Sequence, residues 1–259
     1  MIVDLHNHTT LCNHATGEME EYLLRAIEKG TMYFGFSEHA PMDFDKGYRM
    51  RFDQVPLYEA QIERLQRRYW DRITLLKGYE VDYLEGHIDS RIFELDADYL
   101  IGSVHFLQKW GFDNPEFIGE YANRDIDTIW QEYFDAITAM AQSGLFDIVG
   151  HLDLIKVFKF LPKKDIRLIA KDAIAAIKEA DMVIELNMAG YRKPIEEAYP
   201  GDKLMELIAE ADIPITFASD AHAPDQVGLF SDKLVALARR FGYDRCAVFR
   251  ERERALIKF

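Results

Sequence analysis

Residues 2–8 read I-V-D-L-H-N-H, and the plan of this stretch recurs along the chain. Ile2, Val3 and Leu5 form an apolar run of strand length, and His6 and His8 follow it directly. Six further runs have the same character: Tyr33–Phe36, Ile73–Leu76 continuing toward Tyr83, Tyr99–Val104, Phe146–Val149, Met182–Leu186 and Ile213–Ala218. Stripes with helical spacing lie between several of them. Met19, Tyr22, Leu23, Ala26 and Ile27 make one face and stop at Gly30, a residue suited to a helix C-cap. Ile166, Ile169, Ala170, Ala173, Ile174 and Ile177 make a second, and Leu234, Leu237, Ala238 and Phe241 a third. Strand alternating with helix implies parallel pairing through crossovers. Seven such units, with no linker or low-complexity segment between them, predict one α/β domain over residues 1–259, a closed or nearly closed parallel barrel. An open doubly wound sheet is the alternative, weakened by the lack of a Gly-rich phosphate loop after the first strand.

The residues after each run carry the chemistry. His6 and His8 follow the first and Glu38 and His39 the second; Glu80 belongs to the third. His105 follows the fourth and His151 the fifth, while Asn187 and Arg192 follow the sixth and Asp220 and His222 the seventh. All strand C-termini of a parallel barrel open on one face, and that face holds the active site. Side chains more than 200 positions apart are therefore expected at one mouth. Residues i and i+2 of a strand point the same way, so His6 with His8, and Asp220 with His222, can grip one ion together. His14, in the loop just beyond, reaches the same opening. Imidazole and carboxylate suit Zn²⁺, Mn²⁺ or Fe. A lone histidine or an Asp-x-His pair is ordinarily structural, but seven of the eight histidines fall at strand ends or just after them. Only His87, in Y-L-E-G-H-I-D, stands apart and is expected on the surface. Cys12 is expected to be a small buried side chain, and Glu18, Glu20 and Glu21 a solvated helix start favoured by the helix dipole.

Bulk properties exclude more than they assign. The apolar fraction of 49% is ample for a core. No run approaches the ~18 apolar residues of a membrane helix. The start M-I-V-D lacks the basic region of a secretory signal. Two cysteines, Cys12 and Cys246, make no disulfide framework, so a cytoplasmic location is expected. A formal charge of −14 argues against nucleic-acid binding. It leaves a small anionic substrate open, because bound cations reverse the sign inside one pocket. No apolar face marks an oligomer interface.

With these residues assembled, the sequence resembles the PHP (polymerase and histidinol phosphatase) family, specifically its monofunctional histidinol-phosphatase branch. The matching segments are D-L-H-N-H at Asp4–His8, S-E-H at Ser37–His39, G-Y-E-V-D-Y at Gly78–Tyr83 and G-S-V-H at Gly102–His105. G-H-L-D at Gly150–Asp153 and S-D-A-H at Ser219–His222 complete the set. Y-R-M-R-F at Tyr48–Phe52 followed by Leu57-Tyr58, W-G-F-D-N-P-E at Trp110–Glu116 and N-M-A-G-Y-R-K-P at Asn187–Pro194 look like the histidinol-phosphatase branch. The resemblance implies a distorted (β/α)7 barrel, similar to a TIM barrel, with three divalent ions. By resemblance, His6, His8, Glu80 and Asp220 hold the first ion. Glu80 bridges to a second, completed by His105 and His151, and His14, His39 and His222 hold the third. Arg192 is implied as the contact to the substrate phosphate, with Lys156, or alternatively Lys159, as a further one. The implied activity is hydrolysis of the phosphomonoester L-histidinol phosphate in histidine biosynthesis. Asp220 and His222 are the candidates for leaving-group protonation. Residues 42–56 and 109–121 are expected to fold over the pocket, since loops on this face build specificity. The rivals are another phosphoesterase of the same family acting on a different monoester or a diester, an amidohydrolase-type barrel, and a metal-loaded binding module without turnover. An amidohydrolase-type barrel commonly bridges its ions with lysine, and Glu80 occupies that place here.

Overall fold

All seven apolar runs are strands of one sheet in a computed structural model that describes residues 1–259. The chain has eleven strands. The first six are β1 (Val3–Asp4), β2 (Tyr33–His39), β3 (Thr74–Asp82), β4 (Tyr99–Ser103), β5 (Phe106–Leu107) and β6 (Trp110–Gly111). The remaining five are β7 (Ile148–Val149), β8 (Val183–Asn187), β9 (Ile215–Ala218), β10 (Arg245–Arg250) and β11 (Glu253–Lys258). The barrel sheet runs β1-β2-β3-β4-β7-β8-β9, parallel throughout. Six helices connect and surround it: α1 (Met19–Glu28), α2 (Val55–Tyr69), α3 (Ile126–Gln142), α4 (Ile166–Glu179), α5 (Asp202–Glu210) and α6 (Ser231–Arg240). The three helical stripes read from the sequence fall on α1, α4 and α6, with Phe241 just past the end of α6, and most of their apolar residues are buried. Gly30 ends the first connection at a φ of 76°, where a side chain would be strained.

Closure depends on the stretch after Val3. Leu5 N–H donates to Phe217 O at 3.0 Å, Asp220 N–H to His6 O at 2.7 Å and His8 N–H to Ala221 O at 2.9 Å. Parallel pairing thus continues beyond β1 and β9, and the His-x-His and Asp-x-His segments are zipped side by side. Asp4 pins the same seam. Its carboxylate accepts from Ser219 N–H at 2.8 Å, Ser219 Oγ at 2.5 Å and Asn7 Nδ2 at 3.1 Å. Inside the barrel the Tyr99 ring lies against Gly78, where a Cβ would fall within 2.3 Å of it, and its hydroxyl donates to Leu5 O at 2.6 Å. Register does the rest: pairing of β2 with β3 sets His39 beside Glu80.

The β10–β11 hairpin was not foreseen from the sequence. It covers the opposite, N-terminal end of the barrel, with Arg252 bound to Asp147 and the Leu145 carbonyl, and Arg254 to Asp181. Its two-residue turn, Glu251-Arg252, takes φ of 50° and 68° without the Asn-Gly pair that usually announces such a turn. No helix is long and apolar enough to cross a membrane.

Replacing Asp4 with alanine should strip the seam of its acceptor and leave buried Ser219 donors unpaired. The expected loss is about 2–5 kcal/mol, read as a lowered denaturation midpoint. An unchanged midpoint would show that the seam does not hold the barrel closed.

Candidate metal centre

Glu80, buried in β3, is the hub of the C-terminal mouth. Its Oε2 lies 3.2 Å from His6 Nε2, 3.6 Å from His8 Nε2 and 2.9 Å from His39 Nδ1. Its Oε1 faces the other way, 2.9 Å from His151 Nε2 and 3.7 Å from His105 Nε2. Asp220 Oδ1 joins the first side, 3.3 Å from His8 Nε2 and 4.0 Å from His6 Nε2. Ligand atoms bound tetrahedrally to one ion at 2.0–2.2 Å sit roughly 3.4 Å from one another, so these separations suit ions held between them.

The outer contacts fix which nitrogen faces inward. Nδ1–H donates to Glu185 Oε2 at 2.8 Å from His6, to Glu38 Oε1 at 3.4 Å from His8 and to Asp82 Oδ1 at 2.6 Å from His105. His14 and His222 donate likewise to the carbonyls of Cys12, at 2.9 Å, and Asp220, at 3.2 Å. Each would then meet a bound metal through its Nε2 lone pair, the arrangement by which a second layer orients metal-binding imidazoles. Inside, His6 Nε2, His8 Nε2, His39 Nδ1 and Glu80 Oε2 are buried and have no hydrogen-bond partner. Buried polar atoms are rarely left so. Cations satisfy all of them at once, and the donor set fits Zn²⁺, Mn²⁺ or Fe.

Charge follows the same geometry. Burial opposes ionisation of Glu80 and Asp220, but the imidazoles, His6 foremost, hold both pKa values well below the carboxylate range. Burial also disfavours protonated His6, His8 and His105, yet their carboxylate neighbours outweigh it. His6 is pushed well above 6.5, His8 up to about 9 and His105 to about 10. His39, desolvated and repelled by His8, falls to about 4, and His222 falls well below its ordinary value for the same two reasons.

The nine expected ligand positions all lie around this mouth, but their grouping differs from expectation in one respect. The rings of His14, His39 and His222 neighbour one another, with centroids 4.7 to 6.2 Å apart. Their ligating atoms instead fall into the sets His8–His39–His222 and Cys12–His14–His222. Cys12 is no thiolate, since burial and Glu38 push its thiol up. His87 lies outside the cluster, with Nδ1 3.0 Å from exposed Asp43.

A cleft of about 650 Å³ opens over the cluster. Residues 42–56 contribute Asp45, Tyr48 and Arg49 to it, and residues 109–121 contribute Asp113 and Glu116. Arg49 is committed to Asp82 at 2.8 Å and so braces His105 from behind. Arg192 lines the cleft, with Nη2 donating to the carbonyls of Ser219 at 3.0 Å and Asp220 at 2.7 Å while Nη1 has no partner. Lys156 requires a correction. It is buried, with its ammonium held by Asp153 at 2.9 Å, Glu197 at 3.2 Å and the Ala198 carbonyl at 2.8 Å, and it does not reach the cleft. Lys159, its alternative, does not line the cleft either. Sequence reasoning missed Asp82 and Glu185, although an acid two residues from a ligand candidate on one buried strand was a usable signal.

Barrel and cluster together define a parallel barrel whose strand C-termini gather histidine and carboxylate groups able to hold metal ions. The chain belongs to the PHP domain family, whose model matches residues 4–189. It is 40% identical over 257 residues to a probable histidinol-phosphatase of Deinococcus radiodurans, covering 97% of this chain and 98% of the relative. A histidinol-phosphatase of Bacillus subtilis is 28% identical over 87% of this chain and 95% of its own. Among solved structures, the histidinol phosphate phosphatase of Lactococcus lactis, complexed with Zn, L-histidinol and phosphate, has the same fold. It matches with a TM-score of 0.78 at 20% identity, over 98% of each chain.

At pH 7, loading metal-free protein with Zn²⁺ should release protons, because His6, His8 and His105 start protonated and must bind through a lone pair. A pH indicator in weak buffer reads this, and its absence would contradict the charge assignment. Glu80→Gln should bind metal at least ~10-fold more weakly, measured as metal content after dialysis; full retention would remove Glu80 from the hub.

Proposed function

We propose that the protein is a metal-dependent phosphomonoesterase that hydrolyses L-histidinol phosphate to L-histidinol and phosphate in cytoplasmic histidine biosynthesis. One observation carries the reading: the Glu80-centred cluster opens into the same cleft as Arg192, whose Nη1 is buried without a partner. Phosphate needs cations on several sides, and this mouth offers metal sites and a fixed guanidinium together. The substrate follows from relatives named histidinol-phosphatases that align along nearly the whole chain.

We assign the ions to three sets: His6, His8, Glu80 and Asp220; Glu80, His105 and His151; and His14, His39 and His222, whose rings neighbour one another although their ligating atoms lie closest in the sets His8–His39–His222 and Cys12–His14–His222. When bound, they neutralise the phosphoryl oxygens and lower the pKa of water toward about 7. Arg192 approaches from β8, its Nη2 locked on two carbonyls and its Nη1 free for a phosphoryl oxygen, so little motion is lost on binding. Asp220, kept ionised by His6 and His8, stands at the rim where the leaving alkoxide must gain a proton and is one candidate for delivering it. His222, 3.6 Å away at Nδ1, shares that rim. Arg49, Asp82, Glu38 and Glu185 hold imidazoles in place.

The test is phosphate release by enzyme reloaded separately with Zn²⁺, Mn²⁺ or Fe²⁺. L-Histidinol phosphate should exceed generic monoesters and a dinucleotide diester by orders of magnitude in kcat/KM. Equal slow rates on all would remove the substrate, and cleavage of the diester alone would overturn the reading. Arg192→Ala should keep its metal and lose roughly 10²- to 10³-fold in kcat/KM; full activity would dismiss its phosphate contact.

A further inference from the structure

Five residues lining the cleft have buried side-chain atoms without a hydrogen-bond partner: His39, Glu80, His151, Arg192 and Tyr199. They divide by chemistry. His39 Nδ1 and Glu80 Oε2 have lone pairs that a cation satisfies, while the unpaired His151 atom is Nδ1, across the ring from the Nε2 that meets Glu80. Arg192 Nη1 and the Tyr199 hydroxyl carry hydrogens, which no cation satisfies and only an acceptor can. Tyr199 is wholly buried, and burial together with Asp153, Asp220 and Asp113 pushes its phenol up, so it remains a donor. Both donors belong to residues that line the same cleft, beside His151 and Asp220.

The surroundings hold this ring on purpose-built supports. Tyr199 exchanges backbone hydrogen bonds with Asn187, at 2.7 and 3.0 Å, which ties it to the end of β8. Gly190, in the turn leading to Arg192, has no room for a side chain: a Cβ there would meet the Glu197 carbonyl oxygen at 2.0 Å and two carbons of the Tyr199 ring at 3.1 Å. Behind the ring lies the Lys156 ammonium, 5.4 Å from its centroid and fixed by Asp153 and Glu197. On the other side the His151 ring is 6.5 Å away, edge-on. The phenol is thus held from several directions while its hydroxyl is given nothing to bind.

We propose that the Tyr199 hydroxyl is a second hydrogen-bond donor to the substrate phosphate, completing with Arg192 a two-donor clamp on its nonbridging oxygens, and that Lys156 is the positioning residue beside its ring. This rests on the phosphatase reading and extends it. A phenol and a guanidinium in one cleft both recognise the phosphoryl group common to substrate and product, so inorganic phosphate is a sufficient probe.

Tyr199→Phe deletes one oxygen and no protein contact. In metal-loaded enzyme it should weaken inhibition by inorganic phosphate and lower kcat/KM by roughly 10- to 100-fold. Metal content should stay at the wild-type level, and the thermal midpoint without phosphate should be equal or higher, because an unsatisfied buried donor has been removed. Lys156→Met, which keeps the bulk, should show the same loss of phosphate inhibition in weaker form. Unchanged phosphate inhibition in Tyr199→Phe, with wild-type enzyme active, overturns the clamp and leaves the phosphatase reading intact. Loss of metal or of thermal stability in Tyr199→Phe overturns it too, since that would give the hydroxyl a structural or ligand role. Wild-type enzyme without any phosphatase activity removes the reading and the clamp with it.

Discussion

A single carboxylate that faces two ways organises this protein. Glu80 is almost fully buried, and its oxygens look toward separate sets of imidazoles, His6, His8 and His39 on one side and His105 and His151 on the other. An isolated carboxylate in such a place would cost several kcal/mol in lost hydration. The cost is offset only where positive charge surrounds it, so the fold must deliver ligands from every side. A parallel barrel does this because each strand ends at the same mouth.

The architecture can be understood as support for that hub. The seam between residues 5–8 and 217–221 sets four ligand candidates in register. A second layer of acids, Glu38, Asp82 and Glu185, turns the imidazoles and neutralises them from outside. Arg49 compensates Asp82 in turn. The −14 charge of the chain is therefore no obstacle to an anionic substrate, since part of the acid load is spent inside on positioning imidazoles.

The strands and the gathering of ligand candidates at one mouth were legible in the sequence for one physical reason: each candidate comes at a fixed place relative to an apolar run. The first, third and seventh runs, with His6, Glu80 and Asp220, show this most clearly. What was not legible lacked such a local signal. The β10–β11 hairpin turns through Glu251-Arg252 in conformations those residues seldom advertise. Lys156 follows a ligand strand as a substrate contact would, but its rotation toward Asp153 and Glu197 depends on a segment forty residues away. The grouping of His14, His39 and His222 depends on side-chain rotations that spacing does not encode. Tyr199 looks like any buried aromatic until its hydroxyl is found without a partner.

The account stands on Glu80 bridging two ions. Anomalous diffraction from crystals of metal-loaded protein, recorded at the absorption edge of the loaded metal, tests this directly. Separate peaks are expected on the two sides of the carboxylate, one within bonding distance of Oε2, His6 and His8 and another of Oε1, His105 and His151. Both oxygens on one ion, or no peak beside Glu80, would contradict it.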